Sequence, residues 1–235
     1  MFKLLASMYR LNDLLIWFIA ILFPPIVVAN IGKYFAIKKA FYLTTIGGIE
    51  GDYIEFGVFT GSSMSCALRS ARTSRLGKIS QTRRFFGFDS FEGFGKISEE
   101  HDHLFFNDEN FSVNIVDVQK RLNRIKKPNQ ELKLIKGFYS DTLDTKNPSN
   151  YKIEKSSVIL IDCDFFQASV SCFKFISSII QEGTIIIIDD FYSYKGHSKK
   201  GTYGAFQDFL KVYNKFRFRR IFDYGIGGVA YIAHK

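Results

Sequence analysis

The chain has 235 residues, enough for one α/β domain with a sizeable buried core but too few for two full domains. Its formal charge is +9, from 32 Lys and Arg residues against 23 Asp and Glu residues. The basic residues are scattered rather than gathered in one stripe, which disfavours nucleic acid as a partner. Three cysteines without a metal-like or disulfide-framework spacing indicate a reducing compartment, so we expect a cytoplasmic protein.

An uncharged apolar run, Leu14 to Ala29, lies near the N-terminus. A membrane-spanning helix needs about 20 residues, and Pro24 and Pro25 would break a helix after about ten. A signal peptide fits less well, because an acidic residue lies at the boundary of the run. Two interpretations stay open: an interfacial anchor at the inner face of the membrane, with Trp17 and Phe18 at headgroup level, or an arm packed on the protein itself or a second protomer. We therefore divide the chain into an arm, residues 1–30, and a domain, residues 31–235.

The first strand of the domain is followed by a glycine turn. The sequence YIEFGVFTGSS predicts a strand over Tyr53–Phe56, a turn from Gly57 to Gly61 and a helix beginning near Ser62. Its spacing matches neither G-x-G-x-x-G nor a P-loop, which disfavours dinucleotides and nucleoside triphosphates. A ligand that carries an amino acid and a ribose fits better, because glycines permit close approach and Glu55 can accept hydrogen bonds.

The next two strands end in further polar residues. RRFFGFDSFEGF predicts a strand ending at Asp89, where an acid can bind both hydroxyls of a ribose, with Ser90 in the same loop. A third strand, Leu132–Lys136, leads to a turn where Ser140 and Asp141 could meet an adenine edge. Asp141 could equally cap the next segment.

Acidic residues follow two adjacent apolar strands, Val158–Ile161 and Thr184–Ile188. A predicted helix, Phe166–Gln181, joins them and is terminated by Gly183. Parallel strands joined in this way end at the same edge of the sheet, so four carboxylates should converge there. They are Asp162, Asp164, Asp189 and Asp190. Like charges at ~4 Å repel by roughly 4 kcal/mol at an effective dielectric of about 20, and Mg²⁺ is the economical compensation.

The remaining sequence completes the sheet and frames an acceptor site. A helix begins near Tyr203, and the tail predicts an antiparallel hairpin around residues 225–228. Residues that contact an acceptor are expected in the segments 95–129 and 193–203. His101, His103 and His197 lie there as possible ligands, although a solvated loop accounts for the first two.

Five segments in this order carry a resemblance to a known family: YIEFGVFTGSS, FFGFDSFEGF, GFYSDTL, LIDCDFF and GTIIIIDDFY. From Ile31 onward the chain resembles the macrocin O-methyltransferase (TylF-like) family. The resemblance implies a class I S-adenosylmethionine-dependent methyltransferase. Its fold class is α/β, with a Rossmann-like, doubly wound, seven-stranded sheet that is mostly parallel and ends in an antiparallel hairpin. The chain departs from the family at Gly95, where proline is usual, and in the N-terminal apolar segment.

The resemblance also implies roles for single residues. Mg²⁺ would be held by Asp162, Asp189 and Asp190, and Asp164 would be the general base. The residues at the positions that hold S-adenosylmethionine are Glu55, Gly57, Gly61, Ser62, Asp89, Ser90 and Asp141.

We therefore predict Mg²⁺-dependent O-methylation of a hydroxyl, with a sugar of a glycan, lipid-linked saccharide or glycosylated metabolite as the expected acceptor. One alternative is the same fold acting on a phenolic or catechol acceptor. The other is a non-catalytic scaffold that keeps the fold and is tethered to a membrane. Homo-oligomerisation is also open.

Overall fold

Short strands form the centre of the fold. The computed structural model describes residues 2–73, 83–94 and 112–235, without the side chains of residues 2–10, 72 and 73. The strands are β1 (Asp52–Phe56), β2 (Phe85–Asp89), β3 (Leu132–Lys136), β4 (Ser156–Ile161), β5 (Ile180–Ile188), β6 (Arg217–Tyr224) and β7 (Gly228–His234). The α-helices are α1 (Phe2–Leu22), α2 (Pro25–Ile46), α3 (Ser62–Thr73), α4 (Ile115–Ile125), α5 (Tyr139–Thr142), α6 (Phe166–Ile176) and α7 (Gly201–Val212).

The sheet has seven strands in the order β3-β2-β1-β4-β5-β7-β6. β1 to β5 run parallel, whereas β7 is antiparallel to both β5 and β6. This topology confirms the predicted α/β class and the C-terminal hairpin. Phe56 pairs with Ile161, which pairs with Ile188, so β1, β4 and β5 end at one edge of the sheet.

Helices cover both faces of the sheet. Successive residues of a strand face opposite sides of the sheet. In β4, Ile159 packs against α6 and α7, whereas Leu160 packs against α2, α3 and α4. Every residue of β4 is buried as a result. Burial on both faces explains why the central strands are continuous apolar runs rather than alternating ones.

The helix before β5 is shorter than the sequence predicted. α6 ends at Ile176, and the hydroxyl of Ser177 donates a hydrogen bond to the Lys174 carbonyl at 2.7 Å. Gly183 does not terminate this helix, because it lies inside β5 with a φ of 86°. That prediction was wrong, since the apolar spacing of the helix continues into the first residues of the strand.

Two helices precede the first strand. Pro24 is the N-cap residue of α2, and α1 ends just before it, as expected for a pair of prolines. Among the described residues, no single helix is long and apolar enough to cross a membrane; Leu11–Leu22 and Pro25–Ile46 reach that hydropathy only together, with an 81° bend between them. α2 also runs without interruption through residue 30, where we had divided the chain.

Candidate active site

The four predicted carboxylates come together where β4 and β5 end. Oxygen atoms of Asp162, Asp164 and Asp190 lie within 4.8 Å of one another. Asp164 and Asp190 adopt left-handed backbone conformations, with φ of 59° and 49°. Non-glycine residues are uncommon in that region, and their presence is typical of functional sites. The convergence expected from the sequence is therefore present.

A lysine that the sequence analysis did not single out lies among these acids. Lys33 Nζ is 2.6 Å from Asp162 Oδ2 and 2.5 Å from Asp189 Oδ2. Its side chain is 14% exposed. The available signal was weak: Lys33 is the first charged residue after the uncharged stretch from 14 to 32. Repulsion between the acids requires a cation, as predicted, but Lys33 supplies part of the positive charge that was assigned to a metal alone.

Close packing of α2 on the β6–β7 turn places Lys33 beside the acids. A Cβ atom at Gly32 would overlap the backbone nitrogen and Cα of Gly225, so only glycine permits this approach. Gly225 itself has a φ of 55°. The lysine is therefore positioned by a backbone contact in the neighbouring residue, which a pattern of apolar spacing does not reveal.

Asp162, Asp164, Asp189 and Asp190 form a group that we call the acid cluster, and Lys33 alone does not balance their negative charge. Burial raises the pKa of Asp162 well above its usual value, with Lys33 opposing the rise and Asp189 adding to it. Burial and the nearby Asp190 likewise raise the pKa of Asp164. Burial lowers the pKa of Lys33, but the two carboxylates outweigh it and hold that pKa well above its usual value.

The donor set fits a hard divalent cation. Four carboxylates, including Asp189 and Asp190, face one ammonium group, and every candidate ligand atom among them is an oxygen. Mg²⁺ prefers such oxygen donors and would neutralise charge that Lys33 leaves uncompensated. The predicted set of Asp162, Asp189 and Asp190 is compatible with this site, although Asp189 is engaged by Lys33 and Asp164 is the third member of the close oxygen group.

The glycine turn after β1 abuts the acid cluster. Gly57 has a φ of 86°, and a Cβ atom there would overlap the carbonyl oxygen of Asp162. Gly61 has a φ of 76° and packs against Val118 and Leu122 of α4. Contacts within the protein thus account for both glycines, and their contact with a ligand stays a prediction.

Glu55 is fully buried and supports the turn from within. Its Oε1 accepts a hydrogen bond from the Ser63 hydroxyl at 2.5 Å, and its Oε2 accepts one from the Tyr53 hydroxyl at 2.6 Å. Burial raises the pKa of Glu55 to about 7, against the opposing effect of these bonds. Both oxygens of Glu55 are therefore engaged by side chains of β1 and α3, and its predicted role toward a ligand stays a prediction.

Asp89 ties the ends of β1 and β2 together. One carboxylate oxygen accepts the amides of Val58 and Phe59, both at 2.7 Å, and the other accepts the amide of Phe91 at 2.7 Å. Asp89 remains half-buried at the edge of the sheet, where its ribose role stays a prediction. Ser90 is turned inward on its own loop, because its hydroxyl donates to the Gly93 carbonyl at 2.6 Å.

The other predicted contacts lie around the same edge. Ser62 begins α3, with its Oγ 3.1 Å from Thr60 Oγ1. Asp141 is exposed in the first turn of α5, where its charge also suits the helix dipole. His197 is exposed after β5. The candidates His101 and His103, and Gly95 with the segment up to residue 111, lie outside the described residues.

A parallel sheet that ends in an antiparallel hairpin, with a glycine turn after β1 and an acid cluster after β4 and β5, defines the class I methyltransferase fold. Residues 25–214 match the family model described as macrocin O-methyltransferase (TylF). The chain belongs to this family, and it is an S-adenosylmethionine-dependent O-methyltransferase. Membership in a family of enzymes disfavours the alternative of a non-catalytic scaffold.

Solved structures share the fold at low sequence identity. The O-methyltransferase NovP is 16% identical with a TM-score of 0.65, over 86% of this chain and 79% of that one. The calicheamicin methyltransferase CalS11 is 15% identical with a TM-score of 0.67, over 85% and 77%. An O-methyltransferase from Bacillus cereus, solved in complex with SAH, is 18% identical with a TM-score of 0.56, over 85% and 80%. No curated protein sequence matches the chain.

Proposed function

We propose that this protein transfers a methyl group from S-adenosylmethionine to a sugar hydroxyl at the acid cluster and that Mg²⁺ assists the reaction. The observation that carries the proposal is the convergence of four carboxylates beside the glycine turn, where Gly57 touches the backbone of Asp162. A sugar acceptor is supported by the description of CalS11 as a TDP-rhamnose 3′-O-methyltransferase. The expected acceptor is a sugar of a glycan, lipid-linked saccharide or glycosylated metabolite.

The cosubstrate lies at the ends of β1 and β2 in this proposal. Gly57, Gly61 and Ser62 form the turn that receives its methionine portion, and Asp89 with Ser90 lies at the ribose. Asp141 is assigned to the adenine edge. Glu55, the remaining residue assigned to the cosubstrate, also holds the start of α3 by accepting a hydrogen bond from Ser63. The complex of the Bacillus cereus neighbour with SAH supports a cosubstrate of this chemistry.

Asp162, Asp189 and Asp190 would hold Mg²⁺, which supplies positive charge that favours ionisation of a hydroxyl. Asp164 accepts the proton of the acceptor hydroxyl. Asp164 is half-buried and follows the end of β4 by three residues, with a left-handed backbone. Catalysis then comes mainly from positioning the acceptor oxygen in line with the methyl group and from proton removal.

Replacement of Asp164 tests the proposed reaction. Asp164→Asn keeps the size of the side chain but cannot accept the proton, so we expect turnover to fall by about 100-fold or more while S-adenosylmethionine binding is retained. Release of S-adenosylhomocysteine measures turnover, and calorimetry measures binding. Asp208→Asn, an exposed acid on α7, is the matched control and should be unchanged.

The choice of acceptors separates the alternatives in the same assay. Nucleotide sugars and glycosides are compared with catechols and simple phenols. Turnover of sugars with none of phenols would support the proposal, whereas turnover of phenols alone would replace the sugar acceptor. Full activity in Asp164→Asn would remove the assignment of the base.

We also propose that the apolar part of α1 inserts into a lipid bilayer as a re-entrant or interfacial anchor. Every residue from Leu11 to Phe23 is exposed, and the six consecutive apolar residues Leu14–Ile19 point in all directions around the helix, since successive residues are 100° apart. A helix that is apolar on all sides favours apolar surroundings on all sides, whereas a second protomer would cover one side. Exposed Lys38 and Lys39 follow on α2 and suit anionic headgroups.

Trp17 is the only tryptophan of the chain and reports directly on this contact. We expect its fluorescence to shift to shorter wavelength with phosphatidylserine-containing vesicles, and the protein to float with them. The double variant Leu15→Gln and Phe18→Gln should lose flotation, whereas Val116→Gln, at an exposed apolar site on α4, should keep it. A dimer in sedimentation analysis, with no response to vesicles, would assign α1 to a second copy of the chain.

A further inference from the structure

Lys33 holds two of the four acidic residues. Its Nζ contacts Oδ2 of Asp162 and Oδ2 of Asp189 at 2.6 and 2.5 Å, so a single ammonium group bridges the end of β4 and the end of β5. Both acids belong to the set proposed to hold Mg²⁺. The ammonium and a divalent ion would therefore compete for the same two carboxylates.

The engagement of Asp189 changes which oxygens remain grouped. The close group of candidate ligand atoms consists of Asp162, Asp164 and Asp190, and Asp189 is not part of it. A metal held by that group would coordinate Asp164, the proposed base, and would leave no free base. The proposed ligands Asp162, Asp189 and Asp190 would leave Asp164 free to accept a proton. Asp189, however, is paired with Lys33.

We infer that Lys33 is an internal competitor of the metal ion: it neutralises part of the charge of the acid cluster when no metal is bound, and it leaves Asp189 before the metal is held productively. Lys33 is thus a positioning residue that acts through the carboxylates rather than on the substrate. The inference rests on the metal site of the proposed function.

The packing of α2 connects the competition between Lys33 and the metal to the N-terminal helices. Gly32, the residue before Lys33, contacts the backbone of Gly225 in the β6–β7 turn. Lys33 adds the two ion pairs that hold the same part of α2 on the sheet edge. When the lysine leaves the acids, the start of α2 loses the two ion pairs, so its backbone hydrogen bonds should open more readily.

Calorimetric titration of the full chain with Mg²⁺ tests the competition. Lys33→Met removes the ammonium and keeps the length of the side chain, so we expect the Kd for Mg²⁺ to fall about tenfold or more. Lys38→Met, an exposed lysine of the same helix whose ammonium lies over the Phe35 ring, should bind Mg²⁺ as the wild type does. Lys33→Arg keeps the charge and should not tighten binding.

Amide hydrogen exchange gives a readout that does not depend on the folding of a variant. In the wild-type protein, Mg²⁺ should speed exchange in the first turns of α2 around Lys33, because the lysine is released. An equal or weaker Mg²⁺ affinity in folded Lys33→Met would overturn the competition and leave the metal site intact, as would unchanged exchange in wild-type protein that binds Mg²⁺. Absence of Mg²⁺ binding in both wild type and Lys33→Met would instead overturn the metal site, and this inference with it.

Discussion

At the scale of single residues, Gly57 joins the glycine turn after β1 to the acid cluster. Its φ of 86° is one that L-residues rarely adopt, and a Cβ atom would overlap the carbonyl oxygen of Asp162. Gly48 also has a positive φ, of 68°, but nothing lies within 4 Å of the space its Cβ would fill. Substitutions at Gly57 and Gly48 therefore distinguish the cost of steric overlap from the cost of backbone strain alone.

We predict that Gly57→Ala lowers the free energy of unfolding by more than about 4 kcal/mol. Gly48→Ala should cost only about 1–2 kcal/mol, the strain of a left-handed backbone. Urea unfolding of both variants measures the difference. Similar losses in the two would show that Asp162 moves readily and that the contact does not fix the turn.

Glu55 makes the stability of the protein depend on pH. Its pKa is raised by burial to about 7 in the folded protein, whereas the unfolded value is near 4.5. Between these values the folded state binds more protons than the unfolded state, so this contribution to stability is lost as the pH rises through about 7. A shift of this size corresponds to about 3 kcal/mol.

We predict that Glu55→Gln removes this slope. Relative to the wild type, the variant should gain stability steadily between about pH 4.5 and pH 7 and remain level above that range. Chemical unfolding of both proteins at several pH values measures the difference and cancels the titration of groups they share. Parallel curves would mean that the pKa of Glu55 is the same in the folded and unfolded proteins.

At the scale of elements, the contact between α2 and the β6–β7 turn decides where Lys33 lies. A Cβ atom at Gly32 would overlap Gly225, whereas one at Gly227 in the same turn would meet nothing closer than 4.0 Å. We predict that Gly32→Ala increases amide exchange several-fold in the first turns of α2 and that Gly227→Ala does not. Equal exchange in both variants would show that α2 is held by its later residues.

The central strands were predictable because burial on both sheet faces produces continuous apolar runs that end abruptly, and β4 was located within two residues of its start. β3 lies at the edge of the sheet and is partly exposed, yet its bounds were predicted residue for residue. The end of α6 was not predictable from periodicity, since Ile179 and Ile180 continue the apolar spacing although the chain has already left the helix at Ile176. At that point the Ser177 hydroxyl donates a hydrogen bond to the Lys174 carbonyl of the last helical turn.

At the scale of the whole molecule, the unbalanced charge of the acid cluster links metal binding to stability. Mg²⁺ that binds only the folded state should raise the free energy of unfolding by about 2.7 kcal/mol at a concentration 100 times its Kd. We predict a higher thermal midpoint with Mg²⁺ than with a chelator. Asp190→Asn should reduce the difference, whereas Asp208→Asn should preserve it.

The sequence by itself determined the order of the elements, the class of the fold and the position of the acids at the strand ends, because these follow from local apolar patterns and from the geometry of parallel sheets. It also supplied the motifs that identify the family. Only the tertiary structure decided the partners of these residues. Lys33 meets Asp162 across 129 residues of chain, and Gly57 meets the backbone of the same aspartate. Such contacts depend on how closely two distant backbones approach, and no local pattern encodes that distance.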